Sequence, residues 1–273
     1  MIADQIGADM SLELNHNADE SALCRDLLTD LAVELWEQSS RVPEVLAGSE
    51  YSRKDRVAQY ILAQGVRDPQ QFQLPEPILH PIANPSVLVV GFNPNYGPDE
   101  DIPRYGCSLD EYVAFYADRF ASNRRDAQGR PAGKRSSTGE IYGIGHYHHI
   151  EQLVAEVLGT STAFGLNAVY CDAIPWKWKQ DRNPGIRKAD GAAAYTRLEK
   201  IVRALNPRVV LTLGGPASCI VGLWTKGEPR PNRTKGDWPV LHVASYHPAA
   251  RGQAYTQAHN GAVQEALREA LLK

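Results

Sequence analysis

The chain has 273 residues, of which 43% are hydrophobic and 22% charged, and its formal net charge is −3. This composition is typical of a globular protein, and the acidic balance argues against a nonspecific coat on nucleic acid, which would be basic. A local basic patch stays compatible with it, because affinity for phosphate depends on where the charges lie. No apolar run reaches the length of a membrane span, and the first residues lack the basic and apolar regions of a signal peptide.

The N-terminal part predicts helices that lie outside the main domain. Apolar residues recur at helical spacing over residues 22–36, and a second short helix is predicted over 53–64. We expect these helices to form an extension over residues 1–75 that packs on an α/β domain of residues 76–273; binding of a partner is the alternative. Residues 74–85 are dense in proline and predict a non-helical linker.

Four segments predict the core strands, at 86–90, 164–172, 208–213 and 240–244, and the first is a short apolar run of β-branched residues. Helices are predicted between and after them, at 109–120, 150–158, 189–205 and 254–272. Strands that alternate with helices predict an α/β fold in which a four-stranded parallel sheet is flanked by helices.

Two loops follow the first and the last of these strands. The first strand ends in Gly91-Phe92-Asn93-Pro94-Asn95-Tyr96-Gly97, and the last is followed by Tyr246-His247-Pro248-Ala249-Ala250-Arg251. Ligands of open parallel sheets bind at the carboxyl ends of the strands, so Asn93 is a candidate site residue. The alternative is a tight turn in which asparagine only tolerates unusual backbone angles.

Together the two loops resemble the motifs of the uracil-DNA glycosylase superfamily. Its first motif is a Gly-x-Asn-Pro or Gln-Asp-Pro-type loop, here Gly91 to Pro94, and its second is a His-Pro-Ser-type loop, here His247 to Ala249. The resemblance covers residue 85 to the C-terminus. It implies a DNA glycosylase that flips a pyrimidine out of DNA and hydrolyses its glycosidic bond. The motif loops contain no lysine that could form a Schiff base, which predicts a monofunctional enzyme, and no cofactor is expected.

The resemblance also implies individual roles. Asn93 would hold the attacking water, and His247 would donate a hydrogen bond to the base O2 as negative charge develops there. The base pocket would be lined by the remaining loop residues, namely Gly91, Phe92, Pro94, Asn95 and Tyr96. In uracil-selective relatives an aromatic of this loop rejects substituents at C5 of the base. Tyr96 would take this role, and it would then count against a large C5 group.

The second motif also resembles the single-strand-selective monofunctional branch, which has His-Pro-Ser-Pro-Arg with the arginine entering the duplex. Arg251 corresponds to that arginine and would fill the gap left by the flipped base. Ala249 and Ala250 replace the serine and the second proline, which removes one phosphate contact expected of the family.

Asp172 ends the second strand, where several branches of the family place an asparagine. A carboxylate can only accept hydrogen bonds, so it would accept from the N4 amine of cytosine and repel O4 of uracil. Because a cell's own cytosine cannot be the target, we expect a modified cytosine, most simply one with a C5 substituent in foreign DNA, and hence a role in defence. The alternative is that Asp172 only caps the following turn.

Two basic segments predict contacts with the DNA backbone. The candidates are Arg124 and Arg125 in the long polar segment 123–145, and Lys177 and Lys179 between residues 177 and 188. A solvated loop is the alternative for the first segment. Trp176 and Trp178 would stack on an unpaired base or pack in the core. DNA is thus the expected partner of a chain that we expect to act as a monomer.

Metal and redox sites are not expected. The four cysteines are scattered without a Cys-x-x-Cys pair, which predicts reduced thiols, a cytoplasmic location and no iron–sulfur cluster. His146, His148 and His149 are clustered, but no His-Glu-x-x-His pattern accompanies them, so they predict a helix start near a cleft.

Two other functions stay open. One is ordinary uracil excision in DNA repair. The other is a catalytically silent protein that binds nucleic acid or a nucleotide, for which Gly214-Gly215 could hold a phosphate. That pair lacks the surrounding pattern of a P-loop or of a dinucleotide fold.

Overall fold

A computed structural model describes most of the chain. The described residues are 22–48, 55–92, 94, 102–135, 141–143, 145–179, 182, 184–185, 188–221, 240–245 and 253–272. The helices are α1 (22–39), α2 (Val42–Ala47), α3 (Arg56–Gln64), α4 (Leu109–Ala117), α5 (Gly145–Leu158), α6 (Lys188–Leu205), α7 (Gly214–Ile220) and α8 (Gln253–Leu271). The strands are β1 (Val87–Gly91), β2 (Ala132–Arg135), β3 (Ile141–Gly143), β4 (Ala168–Asp172), β5 (Val209–Leu213) and β6 (Leu241–Ser245).

The main sheet has four parallel strands in the order β4-β1-β5-β6, which confirms the predicted α/β class and the parallel sheet with flanking helices. Every residue of β1, β4 and β5 is buried. Parallel strands covered on both faces need mainly apolar runs, which these short segments supply. All four strands therefore end at the same edge of the sheet.

The order of the strands creates a change of direction beside β1. From β1 the chain crosses to β4 on one side, whereas β5 lies on the other side of β1 and leads on to β6. In open α/β sheets, ligands bind in the crevice outside the carboxyl ends at such a point. The residues that directly follow β1 therefore stand at the expected ligand crevice.

The proline-dense segment 74–85 is packed against the sheet, so its interpretation as a linker was wrong. The Leu79 N–H donates to the Tyr170 carbonyl at 3.0 Å, and Ile78 and Leu79 are fully buried. Prolines prevent a helix here, but they do not prevent an extended chain from covering the edge of β4. The apolar residues between the prolines supply the buried contacts.

The N-terminal helices share the hydrophobic core of the sheet. Leu28, Leu31 and Leu35 of α1 are buried in the same cluster as the residues of β1. Helix α3 begins after Asp55, whose side chain accepts a hydrogen bond from the Ala58 N–H, as is typical of an N-cap. The division of the chain at residue 75 stays a prediction.

The segment 123–145 differs from the expected polar loop. It contains a short 3₁₀ turn at Ser122–Arg124 and the antiparallel strands β2 and β3. Helix α5 begins at Gly145, earlier than predicted, so the three clustered histidines lie in its first turns. None of the helices in the described ranges has both the length and the apolar character needed to cross a membrane.

The last residue of β1 has to be a glycine because the side chains of β4 pass over it. A methyl group at Gly91 would collide with the hydroxyl of Tyr170 and with the carboxyl of Asp172. Tyr170 is buried and its ring is held by its neighbours, so it cannot move aside easily. This close approach puts the carboxyl of Asp172 directly over the start of the loop after β1.

We expect Gly91→Ala to lower the free energy of unfolding by about 1–3 kcal/mol, the usual cost of overpacking a core. Gly191→Ala is the matched control, because a methyl group there meets nothing within 4 Å and lies inside α6. The control should be neutral or stabilising, since alanine favours a helix more than glycine does. Urea unfolding of both variants measures the difference, and equal stabilities would contradict the crowding at Gly91.

Candidate functional site

The candidate site lies at the carboxyl edge of the sheet, where β1 and β4 end side by side. In the parallel register Gly91 is the partner of Asp172. Strand β6 ends at Ser245, two residues before His247, on the far side of β5. With roughly 4.8 Å between neighbouring strands, the roots of the two motif loops are separated by about 10 Å. The loops predicted to act together thus start from the same edge of the sheet.

Backbone hydrogen bonds fix the first residues of the loop after β1. The Ala173 N–H donates to the Gly91 carbonyl at 3.0 Å, and the Ile174 N–H donates to the Phe92 carbonyl at 2.8 Å. The ring of Phe92 meets Trp178 edge-on at a centroid distance of 5.9 Å. These bonds continue the pairing beyond the strand ends, so the chain that leads into Asn93 is held to the chain that follows Asp172.

Asp172 is a buried carboxyl at this edge, with only 2% of its surface exposed. Its Oδ1 accepts a hydrogen bond from the Tyr170 hydroxyl at 3.2 Å. Its backbone carbonyl accepts a hydrogen bond of 2.6 Å from the guanidinium of Arg197. The side chain therefore lies in register and is oriented by its own strand, which argues against a cap of the following turn.

Charged groups surround Asp172 from three further segments. Glu76 and Lys177 form a buried ion pair with 2.8 Å between Oε2 and Nζ. Arg197 of α6 also donates to the carbonyls of Glu76 and Pro77, which joins the segment 74–85 to the end of β4. The second oxygen of Glu76, Oε1, is buried without a hydrogen-bond partner among the described residues. Two carboxyl groups thus share this region with two cations.

This environment raises the pKa of Asp172 from its usual 3.8 to about 8. Burial is the main cause and the charge of Glu76 is the second, whereas Lys177, the Tyr170 hydroxyl and Arg197 act in the opposite direction. The carboxyl is therefore mainly protonated at neutral pH. Asp172 was expected to be an ionised group that only accepts, and its raised pKa corrects this: a protonated carboxyl both donates and accepts.

Tyr170 and His146 extend this arrangement. Tyr170 was not singled out from the sequence, and His146 was considered only as part of a histidine cluster at a helix start. The Nε2 of His146 lies 3.3 Å from the Tyr170 oxygen. Because the phenol has one proton and donates it to Asp172, Nε2 must supply the proton of this second bond. The available signal was strand alternation, which puts residues 170 and 172 on the same face. Among the described residues no group of ligands is arranged to hold a metal ion.

Two of the four described cations that were predicted to contact DNA form ion pairs within the protein. Lys177 is 1% exposed in its ion pair with Glu76, so its assignment as a surface contact was wrong. Arg125 makes two bonds of 2.8 Å with the carboxylate of Glu151. Arg124 lies over the ring of Phe115 at 4.4 Å and keeps partial exposure, as does Lys179.

Both candidate stacking residues are buried. The ring of Trp176 stacks on Tyr60 at 5.4 Å, and the ring of Trp178 stacks on the same tyrosine at 5.8 Å. The interpretation of these two side chains as core packing is therefore the right one, and Tyr60 of α3 is the residue that fixes them.

Gly91, Phe92, Pro94 and Asp172 are the predicted site residues that the structure describes at this edge. The others, Asn93, Asn95, Tyr96, His247 and Arg251, lie outside the described residues. A scan of protein-family models matches none to this chain, and a search of curated proteins finds no match to it.

The first prediction from this geometry concerns the buried ion pair. We expect Lys177→Glu to lower the free energy of unfolding by about 3–5 kcal/mol, because it leaves Glu76 buried against a like charge. Lys179→Glu is the matched control at a partly exposed position, and it should cost no more than about 1 kcal/mol. Thermal and urea unfolding of both variants measure this, and a stable Lys177→Glu protein would contradict the pair.

The second prediction concerns pH. A carboxyl whose pKa rises on folding stabilises the folded state while it stays protonated, so its contribution is present below about pH 4 and is lost as the pH rises to about 8. Asp172→Asn removes this component and keeps an acceptor for Tyr170. As the pH rises from 4 to 8, we expect the free energy of unfolding of the variant to increase relative to that of the wild type. Urea unfolding at each pH measures this difference. A constant difference across this range would contradict the raised pKa.

Proposed function

We propose that this protein is a monofunctional DNA glycosylase that excises a flipped pyrimidine, with a 5-substituted cytosine of foreign DNA as the target. The observation that supports this most is the shared edge of the sheet. The Gly-x-Asn-Pro motif and Asp172 stand at the ends of β1 and β4, the His-Pro motif follows β6 in the sequence, and the four strands are parallel. The single fold feature thus accounts for why two motifs so distant in the sequence would act on one base.

The chemistry of base excision suits a dry, polar edge of this kind. Departure of the base develops positive charge on the sugar and negative charge on the base, and fixed polar groups stabilise both best where water is excluded. In the proposed roles Asn93 orients the water, and His247 donates to O2 of the base. An amide is a weak base, which suffices when the sugar already resembles an oxocarbenium ion as the water arrives.

The environment of Lys177 supports a hydrolytic mechanism. A glycosylase that also cleaves the strand needs a free amine to form a Schiff base. The two motif loops, 91–97 and 246–251, contain no lysine. Lys177, which follows Asp172 closely, is held by Glu76 and buried. We therefore propose that water is the nucleophile and that an intact abasic site is the product.

Asp172 is the group that we propose to read the pyrimidine edge. In its protonated form it can donate to N3 of cytosine while its other oxygen accepts from the N4 amine. The C5 position of the base points away from this edge, so a substituent there is compatible with the contact. Host cytosine would have to be spared, which is why a modification in foreign DNA, and thus antiviral defence, is the proposed context.

Uracil excision in DNA repair is the second candidate, and the raised pKa of Asp172 favours it. A protonated carboxyl can donate to O4 and accept from N3–H of uracil, as an asparagine amide would. The proposed DNA contacts common to both candidates are Arg124, Lys179 and Arg251. Neither candidate needs a second copy of the chain.

The test uses matched oligonucleotides with one uracil, cytosine, 5-methylcytosine or 5-hydroxymethylcytosine, in single- and double-stranded form. Abasic sites are revealed by alkali, and strand cleavage without alkali would contradict the hydrolytic mechanism. We expect Asn93→Ala and His247→Ala each to slow excision by about 100-fold or more, because each removes a group that acts in the transition state.

His149→Ala is the control, since His149 is exposed on α5. It should excise bases at the wild-type rate. Release of uracil alone would assign the protein to repair. A wild-type protein that releases no base from any oligonucleotide would overturn the proposal and favour the silent nucleic-acid-binding alternative.

A further inference from the structure

Three side chains form a hydrogen-bonded chain that leads to the candidate site. His146 of α5 bonds to the Tyr170 oxygen at 3.3 Å, and Tyr170 donates to Oδ1 of Asp172 at 3.2 Å. Within the described part of the chain, Oδ2 of Asp172 makes no hydrogen bond. Since Oδ1 is occupied as an acceptor, the proton of the carboxyl belongs on Oδ2.

We propose that Asp172 is the general acid that protonates N3 of the departing base, and that Tyr170 and His146 position it. This inference rests on the proposed glycosylase function and deepens it, because the acid step accelerates excision only of pyrimidines of the cytosine type. Cytosine has a lone pair at N3, whereas uracil carries a hydrogen there and cannot accept a proton at that atom.

Departure of the base and attack of water together transfer one proton to the base and consume one water. The bond from C1′ to N1 breaks, its electron pair stays on N1, and the proton of Asp172 Oδ2 goes to N3, so the base leaves as a neutral molecule. The water held by Asn93 bonds to C1′ and releases one proton to solvent. The carboxylate of Asp172 takes up one proton from solvent after the base has left. One water is consumed, and a free base and an abasic sugar are formed.

The groups that face Asp172 allow it to hold a proton and then to release it. Burial and the neighbouring charge of Glu76 raise its pKa, which keeps the acid form populated at neutral pH. The cations Lys177 and Arg197 act in the opposite direction and would stabilise the carboxylate once the proton has moved. General acids work best when their pKa lies near the operating pH.

Tyr170 keeps its phenolic proton in this arrangement and does not serve as a base. Its burial, and then the charge of Asp172, raise the pKa of the phenol well above its usual value. Its ring is packed edge-on against Tyr147 at 5.1 Å, and His146 fixes the hydroxyl from the other side. Tyr170 and His146 are therefore positioning residues, whereas Asp172 would touch the base.

The experiment compares single-turnover excision of 5-hydroxymethylcytosine and of 5-hydroxymethyluracil from matched oligonucleotides between pH 5 and pH 9. We expect wild-type excision of the cytosine form to fall as the pH rises through about 8. Asp172→Asn should slow it by about 100-fold or more, the usual contribution of an acid catalyst. The uracil form, which accepts no proton at N3, should lose less than about tenfold.

The positioning residues have their own readout. Tyr170→Phe should move the pH profile to higher pH, because the carboxylate loses a stabilising donor. His146→Ala should move it in the same direction, and His146→Gln, which retains an N–H, should restore it. His149→Ala on the same helix should match the wild type. If Tyr170→Phe does not fold, the comparison of His146→Ala with His146→Gln still tests whether this chain of hydrogen bonds positions Asp172.

Each outcome bears on a different claim. A wild type that releases no base overturns the proposed function together with this inference. Excision of the cytosine form that is independent of pH, or equally fast in Asp172→Asn, overturns the acid role alone. Excision confined to uracil-type bases also overturns it, while the glycosylase function survives.

Discussion

The burial of Asp172 beside a second carboxyl determines most of what is unusual in this structure. Asp172 and Glu76 come from segments that meet only because residues 74–85 cover the edge of β4. Two carboxylates out of water would repel each other, and Lys177 and Arg197 offset that repulsion only in part. A proton on Asp172 removes the remaining repulsion between the two carboxyl groups. The state of this one group therefore depends on the packing of several elements.

The helices that precede the sheet take part in this arrangement. The side-chain amide of Gln64, at the end of α3, makes two hydrogen bonds of 2.9 Å with the backbone of Gln73. These bonds fix the start of the segment that carries Glu76. From the same helix, Tyr60 stacks on the two tryptophans that flank Lys177. Helix α3 thus supports both members of the ion pair and belongs to the structural basis of the site.

The sheet could be predicted from the sequence because its signals are local. Each strand is a short apolar run, and the residues after it identify the carboxyl edge. The fate of Lys177 could not be predicted, because its partner Glu76 lies far away in the sequence and in a segment that resembled a linker. The protonation of Asp172 could not be predicted from the sequence either, because it depends on Glu76 and on burial. Tyr170 was hidden within an apolar strand, where a phenol is a common core residue.

The difference between an asparagine and an aspartic acid at the end of β4 is more than a change in hydrogen-bond pattern. An amide presents a fixed donor and a fixed acceptor, and neither can be transferred to the base. A carboxyl that holds its proton in a dry site presents the same two groups, and it can also give the proton to the base during departure. That advantage applies only to a base with a lone pair at N3. Burial keeps Asp172 protonated. In this protein the same burial would thus allow one group both to recognise the base and to assist its departure.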